Sequence, residues 1–124
     1  MALVMATRST PADSAASATR LLERVLGYRV FPDDEGRMNR SLVEVAGGLL
    51  LVPQFTLAAD TRKGARAGFS TAAAPEAAQA LFRHFVAEAR ARHPLVAAGE
   101  FGAHMRVALE NDGPVTFWLE AHAS

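Results

Sequence analysis

The run Leu49-Leu50-Leu51-Val52, closed by Pro53, limits what this 124-residue chain can fold into more than any other stretch. Four apolar residues without alternation suit a strand buried on both faces. Proline has no N–H to give to a ladder, so the strand stops at Pro53 or reaches a sheet edge there. Gln54-Phe55-Thr56-Leu57 follows at once. Polar residues emerging from the end of a buried strand are where α/β and α+β folds commonly place their sites.

A central strand needs neighbours and a cover. Ala2 to Ala6 reads as a short apolar strand. Thr10-Pro11-Ala12-Asp13 reads as a helix start, with Thr10 as N-cap and Pro11 at the first helical position. Ala18, Leu21, Leu22, Val25 and Leu26 then make one apolar face, and Gly27 ends the helix. Tyr28 to Phe31 is expected as a short strand, and Pro32 to Gly36 as an acidic turn. Ser41 to Val45 alternates like a further strand ahead of a Gly47-Gly48 turn. A second helix is expected from near Pro75 to about Arg92. Its face is Ala78, Leu81, Phe82, Phe85, Val86 and Ala89, and Pro94 lies just beyond its end. Leu95 to Ala98 reads as a strand. The order predicts an α+β fold, two helices packed on a mixed, mostly antiparallel sheet.

The last third turns on Glu110-Asn111-Asp112-Gly113-Pro114-Val115-Thr116, flanked by alternating runs from His104 to Glu110 and from Val115 to Glu120. Met105, Val107 and Leu109 share one side, as in a half-buried strand. Asp-Gly between two such runs signals a hairpin. Pro114 works against a tight one, because it lacks an N–H and restricts Gly113. Gly113-Pro114 at the tip would present main-chain carbonyls outward; a plain surface turn accounts for the same residues.

Composition sets the outer bounds. Half the residues are hydrophobic, and the length suits one globular domain over residues 1–124. With no cysteine there is no disulfide framework and no thiolate chemistry, which fits a reducing compartment. No apolar run is long enough to span a bilayer, so a soluble cytoplasmic protein is expected. A formal net charge of zero excludes a global basic field for nucleic acid. Local cations remain: Arg62, Lys63 and Arg66 share a loop, where phosphate contact and mere solubility explain them equally well. No metal is expected, since His84 and His93 do not share a helix face at one-turn spacing and His104 and His122 lack obvious partners. No nucleophile elbow, P-loop or dinucleotide fingerprint is present. What remains is the pair of stretches Gln54 to Leu57 and Asn111 to Thr116.

Together these two stretches resemble the D-aminoacyl-tRNA deacylase family, enzymes that hydrolyse D-amino acids from mischarged tRNA. That family carries a Ser-Gln-x-Thr-Leu motif and an Asn-x-Gly-Pro-Val-Thr motif at about this separation. Ala59-Asp60-Thr61-Arg62-Lys63-Gly64, Phe69, Phe101-Gly102-Ala103, Met105, Gly36, Met38-Asn39 and Ser41-Leu42 fit as well, so the likeness covers nearly the whole chain. The resemblance implies a deacylase-like fold, mixed sheet or partly open barrel. It implies hydrolysis of the ester to the 3′-terminal adenosine, with Gly-tRNA as a further substrate and no cofactor. Gln54, Phe55 and Thr56 would be catalytic, with backbone N–H groups around Phe55 and Thr56 as oxyanion donors. No base is spaced to activate Thr56, so a positioning role beside water assisted by the tRNA 2′-hydroxyl is preferred to nucleophilic attack. Phe69, Gly113 and Pro114 would bind substrate, the last two entering the site of a partner in a homodimer. Arg62, Lys63 and Arg66 would meet the tRNA acceptor end. The plainer readings are local backbone hydrogen bonding for Gln54 and Thr56, and core packing for Phe69.

Two departures qualify the carry-over. Pro53 stands where the family has Ser, as in a related branch that removes L-alanine. Family members also begin with an extra strand pair, including an Arg that holds the Gly-Pro carbonyls, and nothing here matches it. These departures give the rival expectations: a catalytically inactive tRNA-binding or dimerisation module, or a deacylase with relaxed L-Ala and Gly specificity.

Overall fold

The computed structural model describes residues 1–69, 72–113 and 115–122, with the Thr56 side chain outside the description. In chain order the elements are β1 (Ala2–Thr7), α1 (Ala15–Gly27), β2 (Phe31–Pro32), β3 (Met38–Arg40), α2 (Leu42–Val45), β4 (Gly48–Pro53), a 3₁₀ turn (Phe55–Ala58), α3 (Pro75–Arg92) and β5 (Val96–Ala98). The apolar run lies in β4, the central strand of a three-stranded sheet ordered β1-β4-β5. Both pairings are parallel, with Ala2 opposite Gly48 and Leu49 opposite Val96.

The sequence predicts a mixed, mostly antiparallel sheet, or a partly open barrel. The main sheet is instead parallel, and no barrel is seen among the described residues. The reason lies in the connections. β1 reaches β4 through α1, and β4 reaches β5 through α3, and such helical crossovers return the chain in the same direction. Antiparallel pairing among the described residues is confined to the small β2–β3 ribbon and an isolated Asp60–Gly68 bridge.

Both long helices cover the same side of the sheet. Leu22 of α1, Leu42, and Leu49 and Leu51 of β4 are fully buried there, joined by Phe82, Phe85, Val86 and Ala89 of α3. Leu3 and Met5 of β1 turn toward this core, whereas Val4 is exposed and Leu50 is half-buried. The expectation of burial on both faces of β4 therefore holds fully for one face. Polar contacts fasten α1 to α3: Thr19 Oγ1 donates to Glu88 at 2.8 Å, and Arg92 bridges Glu88 and Glu23. At the end of α3, buried His93 donates from Nε2 to the Gly47 carbonyl at 2.6 Å, tying that helix to the start of β4.

Several boundaries moved for local reasons. Ser41 to Val45 is not a strand: Ser41 and Glu44 form a reciprocal capping box on α2, which ends at Ala46 in the left-handed conformation. Helix α1 starts from Ser14, not Thr10, because Thr10 to Asp13 forms its own turn, with Asp13 accepting from the Thr10 N–H and hydroxyl. Gly27 is the last helical residue, Tyr28 caps it, and strand β2 begins only at Phe31. Helix α3 keeps the bounds its sequence indicates. The half-buried strands and hairpin expected over the arm of residues 103–122 are not seen: its described residues form no strand, and Val107, Leu109, Val115, Phe117 and Trp118 are exposed. Alternation says which way side chains point; it does not bring a neighbouring backbone within hydrogen-bond reach.

Candidate active site

The site is built at the carboxyl end of β4. The Gln54 N–H donates to the Thr7 carbonyl at 2.7 Å, carrying the β1–β4 pairing one residue past Pro53. The chain then tightens into the 3₁₀ turn, where the Leu57 N–H reaches the Gln54 carbonyl at 3.2 Å. This turn throws Phe55 outward, leaving it 57% exposed. Phe69, 41% exposed, stands beside it with ring centroids 5.0 Å apart and planes tilted by 54°. Tilted aromatic pairs at this distance are favourable, and both rings still keep a large exposed surface.

What returns Phe69 to Phe55 is the loop between them. Asp60 and Gly68 exchange two backbone hydrogen bonds, of 2.7 and 2.9 Å, and Gly64 takes a positive φ of 65° at the bend. The excursion is thereby closed at its base, and it presents Arg62, Lys63 and Arg66 on the exposed side. Arg62 is not a loose cation. Its Nε and Nη2 fork onto both carboxylate oxygens of Asp60, at 2.9 and 2.8 Å, and its N–H adds a third bond of 3.1 Å. The Arg62 side chain, with its backbone N–H, holds the Asp60 carboxyl below the usual carboxylate range. Asp60 in return raises Arg62 above the usual guanidinium value.

That latch predicts a pH response. Because the folded Asp60 is more acidic than the unfolded reference of 3.8, its stabilising contribution is present above that value. It disappears as pH falls through the lower folded value. Carboxyl carbon NMR should place the Asp60 midpoint below 3.8, with faster amide exchange at Gly68 on the acid side of it. A midpoint at or above the reference would mean that the fork does not persist in solution.

The second stretch sits on the C-terminal arm. Asn111, Asp112 and Gly113 are exposed, Gly113 has a φ of 138°, and Pro114 lies outside the described residues. The near end of the arm borders the first stretch. A Cβ on Gly99 would lie 2.7 Å from Met105 Sδ and 3.4 Å from Pro53 Cδ, and the Glu100 N–H donates to Met105 Sδ at 3.3 Å. The far end is held by side chains at the ends of β1 and α1. Arg24 Nη1 donates to the Glu120 carbonyl at 2.7 Å, and the Phe117 ring packs against Tyr28 with centroids 5.8 Å apart and planes tilted by 59°. Arg8 lies 5.5 Å from the Trp118 ring centre and pairs with Glu120 at 3.5 Å.

The structure thus gathers Gln54, Phe55 and Phe69 at one strand end, with Arg62, Lys63 and Arg66 on the loop between Phe55 and Phe69. Gly113 stands on a separate arm. Sequence reasoning overlooked Arg8, Arg24 and Tyr28. No local pattern marks them, because their partners lie about a hundred positions away in the chain. Among the described residues, no cluster of three or more His, Asp or Glu side chains is placed to hold a metal ion.

Comparison with known proteins gives a consistent result. The profile of the family described as D-Tyr-tRNA(Tyr) deacylase matches residues 2–120. A D-aminoacyl-tRNA deacylase of Thioalkalivibrio sulfidiphilus is 66% identical over 108 residues, 87% of this chain and 72% of the relative. One from Alkalilimnicola ehrlichii is 63% identical over 112 residues, 90% of this chain and 75% of the relative. Among solved structures, the protein titled c-Myc DNA Unwinding Element Binding Protein is similar with a TM-score of 0.89 at 31% identity, covering 97% of this chain and 82% of that one.

Proposed function

The chain belongs to the D-Tyr-tRNA(Tyr) deacylase family, and on that premise we propose that it hydrolyses the ester of D-aminoacyl-tRNA, and of Gly-tRNA, releasing free amino acid and tRNA. The observation that carries this reading to particular residues is the 3₁₀ turn springing from the buried strand β4. The opening N–H groups of such a turn have no acceptor within it. Those of Phe55 and Thr56 are therefore suited to receive the oxyanion that forms when water attacks the ester carbonyl. In the collapse of that intermediate the bond from carbonyl carbon to the ribose 3′-oxygen breaks, and the 3′-oxygen takes the proton given up by the water. The neighbouring 2′-hydroxyl of the tRNA assists the water, while Gln54 and Thr56 position it. Phe55 and Phe69 offer apolar faces to the terminal adenosine.

Chirality is read from atoms that all amino acids share. Main-chain carbonyls of the Gly113-Pro114 tip accept from the substrate ammonium and leave no room for an L-Cβ, while glycine passes. The tip enters the site of a second copy in a homodimer, and the exposure of Asn111, Asp112 and Gly113 on the arm fits that use. Lys63 and Arg66 meet the phosphates of the acceptor end. The solved relative's title speaks of DNA, but zero net charge gives this chain no broad field for duplex binding. No helix of the structure is long and apolar enough to cross a membrane among the described residues.

Deacylation of D-Tyr-, Gly-, L-Tyr- and L-Ala-tRNA by the purified chain tests the reading, with hydrolysis expected for the first two. Preference for L-Ala-tRNA would point to the relaxed specificity that Pro53 suggests, and inertness toward all four to a binding module. A linked prediction concerns salt. With Arg62 latched to Asp60, the double variant Lys63→Ala/Arg66→Ala should flatten the slope of log K against log salt by up to about 1.4–1.8. It should weaken all tRNAs alike. An unchanged slope would place the phosphate contacts elsewhere.

A further inference from the structure

We propose that Arg8 is a positioning residue for chiral selection, coupling the arm that carries Gly113 to the strand end that carries Gln54. The inference rests on the deacylase reading above and extends it to a residue outside both motifs. Arg8 directly follows Thr7, and the Thr7 carbonyl takes the Gln54 N–H at 2.7 Å. Its own guanidinium reaches the other way, to Glu120 Oε1 at 3.5 Å and over the Trp118 ring at 5.5 Å. Trp118 Nε1 donates to the same Glu120 oxygen at 2.8 Å, so the cation, ring and carboxylate form one closed group. A single step along the chain, from Thr7 at the end of β1 to Arg8, thus separates a hydrogen bond that sets the catalytic turn from a contact that sets the arm.

The coupling matters because the arm shows no ladder among its described residues. Its described residues form no strand, so side chains must fix where its backbone runs. Arg24, on the last turn of α1, holds the Glu120 carbonyl at 2.7 Å from a rigid helix. Phe117, only four residues after Gly113, rests on Tyr28. Arg8 completes this grip from the side of the sheet. Planarity is required of it as well as charge, since a guanidinium can lie over an indole and pair with a carboxylate at once, whereas an ammonium is a point donor.

Trp118 is the single tryptophan of the chain, so the contact can be followed without substrate. In Arg8→Ala, intrinsic emission should shift and acrylamide quenching rise, with Arg8→Lys intermediate. In the same proteins the D-over-L ratio of kcat/KM on Tyr-tRNA should fall by about three- to tenfold for Arg8→Ala and less for Arg8→Lys. The loss should be carried by KM, with the melting temperature unchanged. Adding Trp118→Leu to Arg8→Ala should lower the ratio little further, since both act through one contact. Unchanged fluorescence, an unchanged ratio, or losses that simply add would each overturn the proposal. A wild-type chain inactive on D-Tyr-tRNA would overturn the functional reading and the selective role with it, and the tryptophan signal would then still show whether the arm is anchored by Arg8.

Discussion

Replacing Gly113 with alanine should lower the D-over-L deacylation ratio by about tenfold or more while moving the melting temperature by no more than about 2 °C. Gly113 has a φ of 138°, a conformation that L side chains rarely adopt. A Cβ there would stand 2.9 Å from both the Val115 nitrogen and Val115 Cγ2. The side chain can swing aside; the nitrogen can move only if the backbone does. Gly113 is exposed, so the chain relieves the strain by reshaping the turn, not by unfolding. A reshaped turn aims its carbonyls elsewhere, and in the function proposed above those carbonyls separate the two hands of substrate. Parallel assays on D-Tyr- and L-Tyr-tRNA, with calorimetry on the same preparations, check this. A preserved ratio would remove the tip from the selective machinery.

The largest loss of stability is expected at Leu51. This residue is fully buried in the middle of β4, opposite Met5 on one side and Ala98 on the other, and its carbonyl accepts from the Gly99 N–H at 2.7 Å. Leu51→Ala should cost about 2–5 kcal/mol, because close packing from both helices leaves little freedom to collapse into the void. That is a large part of the roughly 5–15 kcal/mol that holds an ordinary domain. Denaturant titration should show a lowered midpoint with an unchanged slope. Leu50→Ala, on the half-buried face of the same strand, should cost less than half as much. Equal costs would show that both faces of the sheet are covered in solution.

How far the sequence disclosed this structure depended on how local each signal was. Both long helices were legible because burial of one side imposes a spacing that Leu22, Val25 and Leu26, or Phe82, Phe85 and Ala89, repeat plainly. The central strand was legible from its unbroken apolar run. Strand direction was not, since Leu49 to Val52 reads alike in either pairing, and only the crossover helices decide it. Over Ser41 to Val45, five residues of alternation could not be told from one helical turn, though Ser41 and Glu44 stand at capping-box spacing. At the site, Gln54 to Leu57 and the Asn111 stretch were recognisable as motifs. The approach of Phe69 to Phe55 was not, because it depends on a backbone bridge between Asp60 and Gly68 that no pattern encodes.

The parallel register of β1 on β4 has a consequence for the chain's history as well as its shape. Ala2 pairs with Gly48 and Thr7 with Pro53, a constant separation of 46 positions. At the usual pace of synthesis, about 5–20 residues per second, the first strand waits roughly 2–9 s for its partner to be made. During that interval Leu3 and Met5 lack Leu49 and Leu51, the β4 residues they pair with. The Gln54 N–H finds the Thr7 carbonyl only when that wait ends, so the turn at Phe55–Ala58 cannot be set before it. Synonymous codons that slow translation ahead of Gly48 should therefore lower the yield of active enzyme more than equal delays placed after Ala98.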